Sequence, residues 1–152
     1  INTQAIVFDV DETLLDNSAE IIGEDFGQYW PAWQDWMISE NATAFPAMLK
    51  FYNYIEQKTD FSIFIITGRS QDYCDYTTKN LEAAGYSNFQ NLVCRTKEQI
   101  SWSATEYKST SRQNIIDQGY DIIGCVGDQI SDCAGGNAGY IMKLPNYFYY
   151  VE

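Results

Sequence analysis

Short apolar runs alternate along the chain with segments in which apolar residues recur at helical spacing. An uninterrupted apolar run is typical of a strand that is buried on both faces of a parallel sheet. The strands predicted in this way are residues 5–8, 61–66, 91–94, 121–126 and 140–144. Helical spacing and end signals predict helices near residues 45–55, 70–84 and 110–118. This alternation indicates an α/β fold with helices flanking a doubly wound parallel sheet.

The length of 152 residues indicates a single domain, residues 1–152. Nine Lys and Arg against 21 Asp and Glu give a formal net charge of −12, which argues against binding to a nucleic-acid polymer or to anionic lipid. No run of about 18 apolar residues is present, so no membrane span is predicted. The absence of histidine excludes Ser-His-Asp and Cys-His catalysis and His-rich metal sites. Because the first residue is Ile1 rather than Met, we expect that an N-terminal segment, for instance a signal peptide, has been removed.

The four cysteines, Cys74, Cys94, Cys125 and Cys133, include no C-x-x-C pair, which excludes a zinc ribbon. Cys125 lies within an apolar run and is predicted to be a small core residue. An even number of cysteines is compatible both with disulfides and with free thiols, so the composition leaves the redox state open.

Polar residues follow three of the predicted strands. Ligands bind at the carboxyl ends of the strands in such sheets, so these residues are predicted to converge on one crevice. Lys108, which we place in the loop before the third helix, would join them. The three segments are DVDET at 9–13, TGRS at 67–70 and GDQISD at 127–132.

The collected side chains suit phosphoryl transfer. About 4 Å apart, two like charges repel by about 4 kcal/mol at an effective dielectric constant of about 20, so a carboxylate that attacks a phosphate needs nearby cations. Asp9 is the candidate nucleophile, which would form an aspartyl-phosphate. Asp11 is the candidate general acid and then general base. Thr67 and the Gly68 amide would hold phosphoryl oxygens, and Lys108 would neutralise their charge.

A divalent cation is the second source of positive charge that this chemistry requires. Mg²⁺ prefers carboxylate and water oxygens. The predicted ligands are Asp9, Asp128 and the backbone carbonyl of Asp11, and Asp132 is predicted to support them from the second shell of the metal.

The ordered set of motifs resembles the haloacid dehalogenase superfamily of phosphatases. Within it, the resemblance is to the acid phosphatase branch, which contains bacterial class C acid phosphatases, plant acid phosphatases and vegetative storage relatives. It implies a Rossmann-like core, Mg²⁺ dependence, an acidic pH optimum and a secreted, periplasmic or cell-surface location. It also implies the same roles for Asp9, Asp11, Thr67, Lys108 and Asp128. The matching stretches are FDVDETLLDN at 8–17, IITGRS at 65–70, YKS at 107–109, GYDI at 119–122, GDQISD at 127–132 and KLPN at 143–146.

Residues 16–44 lie where this superfamily inserts a small cap, and they are rich in aromatic residues. Tyr29, Trp33 and Trp36 share one helical face, which we expect to pack on the core. Trp30, off that face, is the candidate to stack on an aromatic leaving group or a nucleobase. Arg69 is either a surface residue or a residue that attracts anionic substrates to the phosphate entrance.

The predicted function is the Mg²⁺-dependent hydrolysis of small phosphomonoesters at acidic pH. Two alternatives stay open: a phosphotransferase that uses the same intermediate, and a non-catalytic storage or binding protein. The presence of Asp9, which some storage relatives lack, argues against the second alternative. The aromatic tail at residues 147–150 is expected to pack against the sheet, or to form a homodimer contact.

Overall fold

The structure is a computed structural model that describes residues 3–152, so the expectation about Ile1 lies outside the described residues. Five parallel strands form one sheet in the order β5-β4-β1-β6-β7, and a two-stranded ribbon joins β2 to β3. The α/β fold predicted from the sequence is therefore confirmed. The strands are β1 (Thr3–Phe8), β2 (Leu15–Asp16), β3 (Thr43–Ala44), β4 (Phe61–Ser70), β5 (Asn91–Arg95), β6 (Tyr120–Gly127) and β7 (Tyr140–Lys143).

The central strand β1 contributes alternate side chains to two hydrophobic clusters. Ile6 and Phe8 belong to one cluster, and Ala5 and Val7 belong to the other. Helices cover both faces of the sheet, which explains why β1 is an apolar run rather than an alternating pattern. The helices are α1 (Ser18–Gly23), α2 (Trp30–Ser39), α3 (Pro46–Glu56), α4 (Cys74–Ala83), α5 (Ala104–Asp117) and α6 (Ile130–Cys133), with a 3-10 turn at Gln71–Tyr73.

Residues 16–44, the predicted cap, contain helices α1 and α2. Along the chain these helices lie between β2 and β3, which pair in antiparallel fashion. Trp36 packs against the core cluster, whereas Tyr29 is 61% exposed. The prediction that the whole aromatic face packs on the core was therefore wrong for Tyr29, which precedes α2, and for Trp33, which lines a cavity instead of joining that cluster.

Helix α5 begins earlier than the sequence analysis predicted. It starts at Ala104, because the Ser103 hydroxyl caps the first turn by accepting a hydrogen bond from the Glu106 backbone N–H at 3.1 Å. Lys108 consequently lies on the helix, and its predicted position in a preceding loop was wrong. The helix holds Lys108 beneath the carboxyl edge of the sheet.

All four cysteines are paired. One disulfide joins Cys74 to Cys94, and the other joins Cys125 to Cys133. Cys125 is buried as predicted, but it is half of a disulfide. Such bonds persist in oxidising compartments and are rare in reducing ones.

The aromatic tail packs beside the loop after β6, and not on the sheet as expected. The Val151 backbone N–H donates to Gln129 Oε1 at 2.9 Å, and the Ser131 hydroxyl donates to the Val151 carbonyl at 3.2 Å. The Gln129 side-chain amide also donates to the Tyr149 carbonyl at 3.3 Å, so hydrogen bonds to the tail backbone, rather than apolar contact with the sheet, hold the tail here. Across residues 3–152, no helix combines the length and the apolar character needed to cross a bilayer.

Candidate active site

Asp9 and Lys108 form a buried ion pair at the carboxyl end of β1. Asp9 Oδ1 lies 2.5 Å from Lys108 Nζ, which also donates to the Ile66 carbonyl at 2.5 Å. The two residues are 7% and 4% exposed. The Asp9 backbone remains tied to the sheet, since its N–H donates to the Val126 carbonyl at 2.9 Å. The candidate nucleophile is therefore fixed both by its backbone and by its side chain.

Two further carboxylates approach this pair from the segment after β6. One oxygen from each of Asp9, Asp128 and Asp132 lies within 4.8 Å of the others. Asp132 Oδ1 is 3.1 Å from Lys108 Nζ. Gly127 makes this approach possible, because a Cβ at that position would lie 2.4 Å from Asp132 Oδ2.

This cluster carries more negative than positive charge. Three carboxylates face one ammonium, which gives a formal charge of −3 + 1 = −2. Burial, reinforced by the charge of Asp132, raises the pKa of Asp9 well above its ordinary value, and Lys108 only partly opposes this. For Lys108, burial lowers the pKa, but the charges of Asp9 and Asp132 outweigh it and raise the pKa overall. Hard oxygen donors with excess negative charge fit a divalent cation.

Asp128 is oriented by three side chains that the sequence analysis did not assign. The Thr13 hydroxyl donates to its Oδ1 at 3.1 Å, and the amides of Gln129 and Asn146 donate to its Oδ2 at 2.7 and 2.8 Å. All three residues lie within the motif stretches that carry the family resemblance. Their pairing with Asp128 depends on the tertiary fold, so local sequence patterns could not reveal it.

Asp11 is held by Arg69 and Asn17. Arg69 Nε lies 3.1 and 3.2 Å from the two carboxylate oxygens, and Nη2 lies 2.6 Å from Oδ1. Asn17 Nδ2 donates to the same Oδ1 at 2.9 Å. Arg69 is thus not a surface residue, because it is 5% exposed and bound to Asp11. It lines the same cavity as Asp9, and its role in attracting anionic substrates stays a prediction.

The cap reaches Asp11 through both of these residues. The Trp33 ring centroid is 5.5 Å from the Arg69 guanidinium carbon, and the Trp36 indole N–H donates to Asn17 Oδ1 at 2.8 Å. Helix α2 therefore buttresses the candidate acid and base.

The TGR segment at 67–69 contributes both backbone and side-chain groups to the site. Thr67 is fully buried, and its hydroxyl oxygen accepts a hydrogen bond from the Arg69 backbone N–H at 3.2 Å. Gly68 lines the cavity, and no atom lies within 4 Å of where its Cβ would be. A substrate oxygen can approach the backbone closely at this open position.

A cavity of about 590 Å³ opens above these groups. Trp30, which is 59% exposed, and Gln34 line it from the cap, while Arg95 and Ile100 line it from the segment that begins at the end of β5. Tyr149, in the aromatic tail, also lines the cavity. The volume is within the range of small-molecule sites.

The strand-end carboxylates around Asp9 belong to a chain that a protein-family model matches over almost its whole length. The model, described as HAD superfamily, subfamily IIIB (acid phosphatase), matches residues 2–152. The chain belongs to this acid phosphatase family. The resemblance inferred from the motifs is thereby confirmed.

Relatives of this acid phosphatase family member include enzymes and storage proteins. The chain is 35% identical over 149 residues to acid phosphatase 1 of Solanum lycopersicum and 29% identical over 154 residues to vegetative storage protein 1 of Arabidopsis thaliana. These matches cover 95% of the chain in each case, but only 58% and 54% of the relatives.

The fold also matches a solved structure of the class C acid phosphatase from Bacillus anthracis with tungstate bound. The TM-score is 0.79 at 26% sequence identity, and the match covers 99% of this chain and 69% of that one. The parallel sheet and its flanking helices therefore match the fold of that class C acid phosphatase.

Proposed function

We propose that the chain hydrolyses phosphomonoesters through a covalent aspartyl-phosphate on Asp9. The observation that carries this proposal is the Asp9–Lys108 pair, which lies among strand-end carboxylates on the floor of an open cavity. The class C acid phosphatase of Bacillus anthracis supports it, since tungstate is a tetrahedral oxyanion like phosphate.

The proposed reaction has two displacements. An Asp9 oxygen forms a bond to phosphorus while the bond from phosphorus to the leaving oxygen breaks, and Asp11 gives that oxygen a proton. Water then attacks the phosphorus, Asp11 accepts the proton of the water, and Asp9 leaves with the release of inorganic phosphate. Lys108, the Thr67 hydroxyl and the Gly68 amide hold the phosphoryl oxygens.

We propose Mg²⁺ as the cation of the carboxylate cluster. Asp9, Asp128 and the backbone carbonyl of Asp11 would hold it, with Asp132 supporting them. When bound, Mg²⁺ supplies positive charge that offsets the repulsion between the carboxylates and the phosphate.

An acidic pH optimum follows from the role of Asp11, which must carry a proton for the first displacement. Both Asp11 oxygens accept hydrogen bonds from Arg69. One of these contacts must therefore be given up before the carboxyl group can donate to the leaving oxygen.

A storage role is the second candidate, because vegetative storage protein 1 is among the relatives. Hydrolysis of para-nitrophenyl phosphate with Mg²⁺ and with EDTA separates the two roles. We expect Asp9→Asn to abolish Mg²⁺-dependent turnover, whereas Asp60→Asn, a matched change at an exposed turn, leaves it intact. Wild-type activity in the Asp9 variant would overturn the proposed nucleophile.

The phosphotransferase alternative has its own test. At high alcohol concentration, the amount of free phosphate is compared with the amount of phosphate transferred to the alcohol.

We also propose that the protein works outside the cytosol, in a secreted, periplasmic or cell-surface setting. The two disulfides support this location, since reducing compartments would open them. The homodimer stays a prediction, which the molecular mass in solution tests.

A further inference from the structure

Arg95 lies on the wall of the catalytic cavity, at the last position of β5. Its Nη1 donates to the backbone carbonyls of Gln99 at 3.1 Å and Trp102 at 2.9 Å. The guanidinium carbon sits 4.7 Å from the ring centroid of Tyr107, the residue before Lys108. One edge of the guanidinium is therefore fixed to the protein, and its plane is supported.

The other edge of Arg95 is unused, which distinguishes it from the two other arginines of the chain. Arg69 places Nε and Nη2 on Asp11, and Arg112 places Nε and Nη2 on backbone carbonyls. Within residues 3–152, Nε and Nη2 of Arg95 donate to no protein group. Every fully buried side-chain N or O atom in this range has a partner, so these Arg95 groups are reached by solvent.

Arg95 is also a cation without an anion. Within the described range, Lys108 pairs with Asp9 and Asp132, and Arg69 pairs with Asp11, but no carboxylate oxygen lies within 4.0 Å of Arg95. Of the three cations that line the cavity in the described part of the chain, Arg95 is thus the one without a carboxylate partner. The free Nε–Nη2 edge has the fork geometry that binds carboxylate or phosphate with two parallel hydrogen bonds.

We propose that Arg95 binds a second anionic group of the substrate, on the leaving-group side of the phosphate that reacts at Asp9. The preferred substrates are then phosphomonoesters that carry an additional carboxylate or phosphate. This inference rests on the proposed phosphatase function, and it names a substrate class for the same site.

The test compares two matched substrates, para-carboxyphenyl phosphate and para-carbamoylphenyl phosphate, which differ in charge at similar size. We expect kcat/KM of the wild type to favour the carboxylate by about tenfold, the effect of one charge-assisted hydrogen-bonded pair. Arg95→Gln should bring this ratio to one or below, because the acidic cavity then repels the carboxylate. Comparing the ratio between variants cancels the difference in leaving-group reactivity.

Two controls separate recognition from a structural role of Arg95. Lys97→Gln removes an exposed cation from the following segment and should leave the ratio unchanged. If Arg95 only holds that segment in place, Arg95→Gln lowers kcat/KM for both substrates equally, and the inference is wrong. Should that variant not fold, the wild-type ratio still decides: it must fall severalfold from low to high salt, because salt screens the ion pair.

The outcomes distinguish this inference from the function on which it rests. Absence of Mg²⁺-dependent hydrolysis of either substrate by the wild type overturns the proposed function and this inference together. Hydrolysis of both with a salt-independent ratio near one overturns the inference alone. A third substrate, para-phenylene bisphosphate, identifies the second anion as phosphate if it reacts faster than the carboxylate, and as carboxylate if it reacts more slowly.

Discussion

Arg69 binds both carboxylate oxygens of Asp11, with its Nε 3.1 and 3.2 Å away and its Nη2 2.6 Å from Oδ1. The same guanidinium donates through Nη1 to the Thr77 hydroxyl at 3.1 Å. Nη1 thus anchors Arg69 to α4, while Nε and Nη2 fix the direction in which Asp11 points. In the proposed reaction, Arg69 is a positioning residue for the acid and base.

We expect Arg69→Lys to lower kcat by about ten- to a hundredfold, because an ammonium cannot replace the two-pronged contact and Asp11 loses its alignment. Steady-state kinetics with para-nitrophenyl phosphate and Mg²⁺ measure the change, and thermal unfolding monitors folding. The converse change, Lys79→Arg at a cation remote from Asp11, is the control. An unchanged kcat in a folded Arg69 variant would contradict a positioning role.

The hydrogen bond from Trp36 to Asn17 leads to a second prediction. Trp36→Phe keeps most of the packing but removes the indole N–H from Asn17 Oδ1. Asn17 is buried, so we expect a loss of about 1 kcal/mol in the free energy of unfolding. We also expect a severalfold lower kcat, since Asn17 orients Asp11. Trp102→Phe, at a half-buried site beside the other cluster, should leave kcat intact. If Trp36→Phe had the same kcat as Trp102→Phe, the hydrogen bond from the cap to Asn17 would not position Asp11, and the prediction would be wrong.

Metal binding can be measured without turnover. A cation that occupies the carboxylate cluster at a hundred times its Kd stabilises the folded state by about 2.7 kcal/mol. We expect Mg²⁺ to raise the thermal unfolding temperature, EDTA to reverse the rise, and Asp128→Asn to abolish it. Asp60→Asn should retain the full rise. A response of the Asp128 variant equal to that of the wild type would place the cation elsewhere.

Three buried tyrosines predict a decline of stability at alkaline pH. Burial raises the pKa of Tyr52, Tyr86 and Tyr107, in the last case to about 12. Unfolded tyrosines lose their protons near pH 10, so above that pH the folded state binds more protons than the unfolded state. The free energy of unfolding therefore falls as the pH rises from about 10 to about 12.

Urea unfolding over this pH range checks the decline. We expect Tyr86→Phe to flatten the slope, although it also lowers stability at every pH because the Leu14 carbonyl loses the hydroxyl donor at 2.7 Å. Tyr140→Phe, at a position that is 89% exposed, should keep the wild-type slope. A slope unaffected by the Tyr86 change would show that this phenol ionises normally in the folded state.

The sheet and the position of the candidate nucleophile could be predicted because both depend on local signals. The apolar run before Asp9 identifies a strand buried on both faces, and parallel strands bring their carboxyl ends to one edge. The start of α5 is also encoded locally, because the Ser103–Glu106 capping pattern marks the first turn of the helix.

The contacts between distant residues could not be predicted. Thr13 and Asp128 are 115 positions apart, and Arg69 and Asp11 are 58 apart. Nothing in the pattern around either residue specifies such a partner. Cysteine pairing could not be predicted either, because four cysteines allow three pairings and only the fold selects one of them.

Within residues 3–152, Asn146 is the last residue along the chain whose side chain donates a hydrogen bond to Asp128, and Tyr149 follows it on the cavity wall. During synthesis on the ribosome, the cluster formed by Asp9, Asp128 and Asp132 thus lacks one of its supports until this stretch has emerged. A nascent or prematurely terminated chain that stops before Asn146 would contain the candidate nucleophile, the lysine and all three carboxylates, yet would hold the candidate site only loosely.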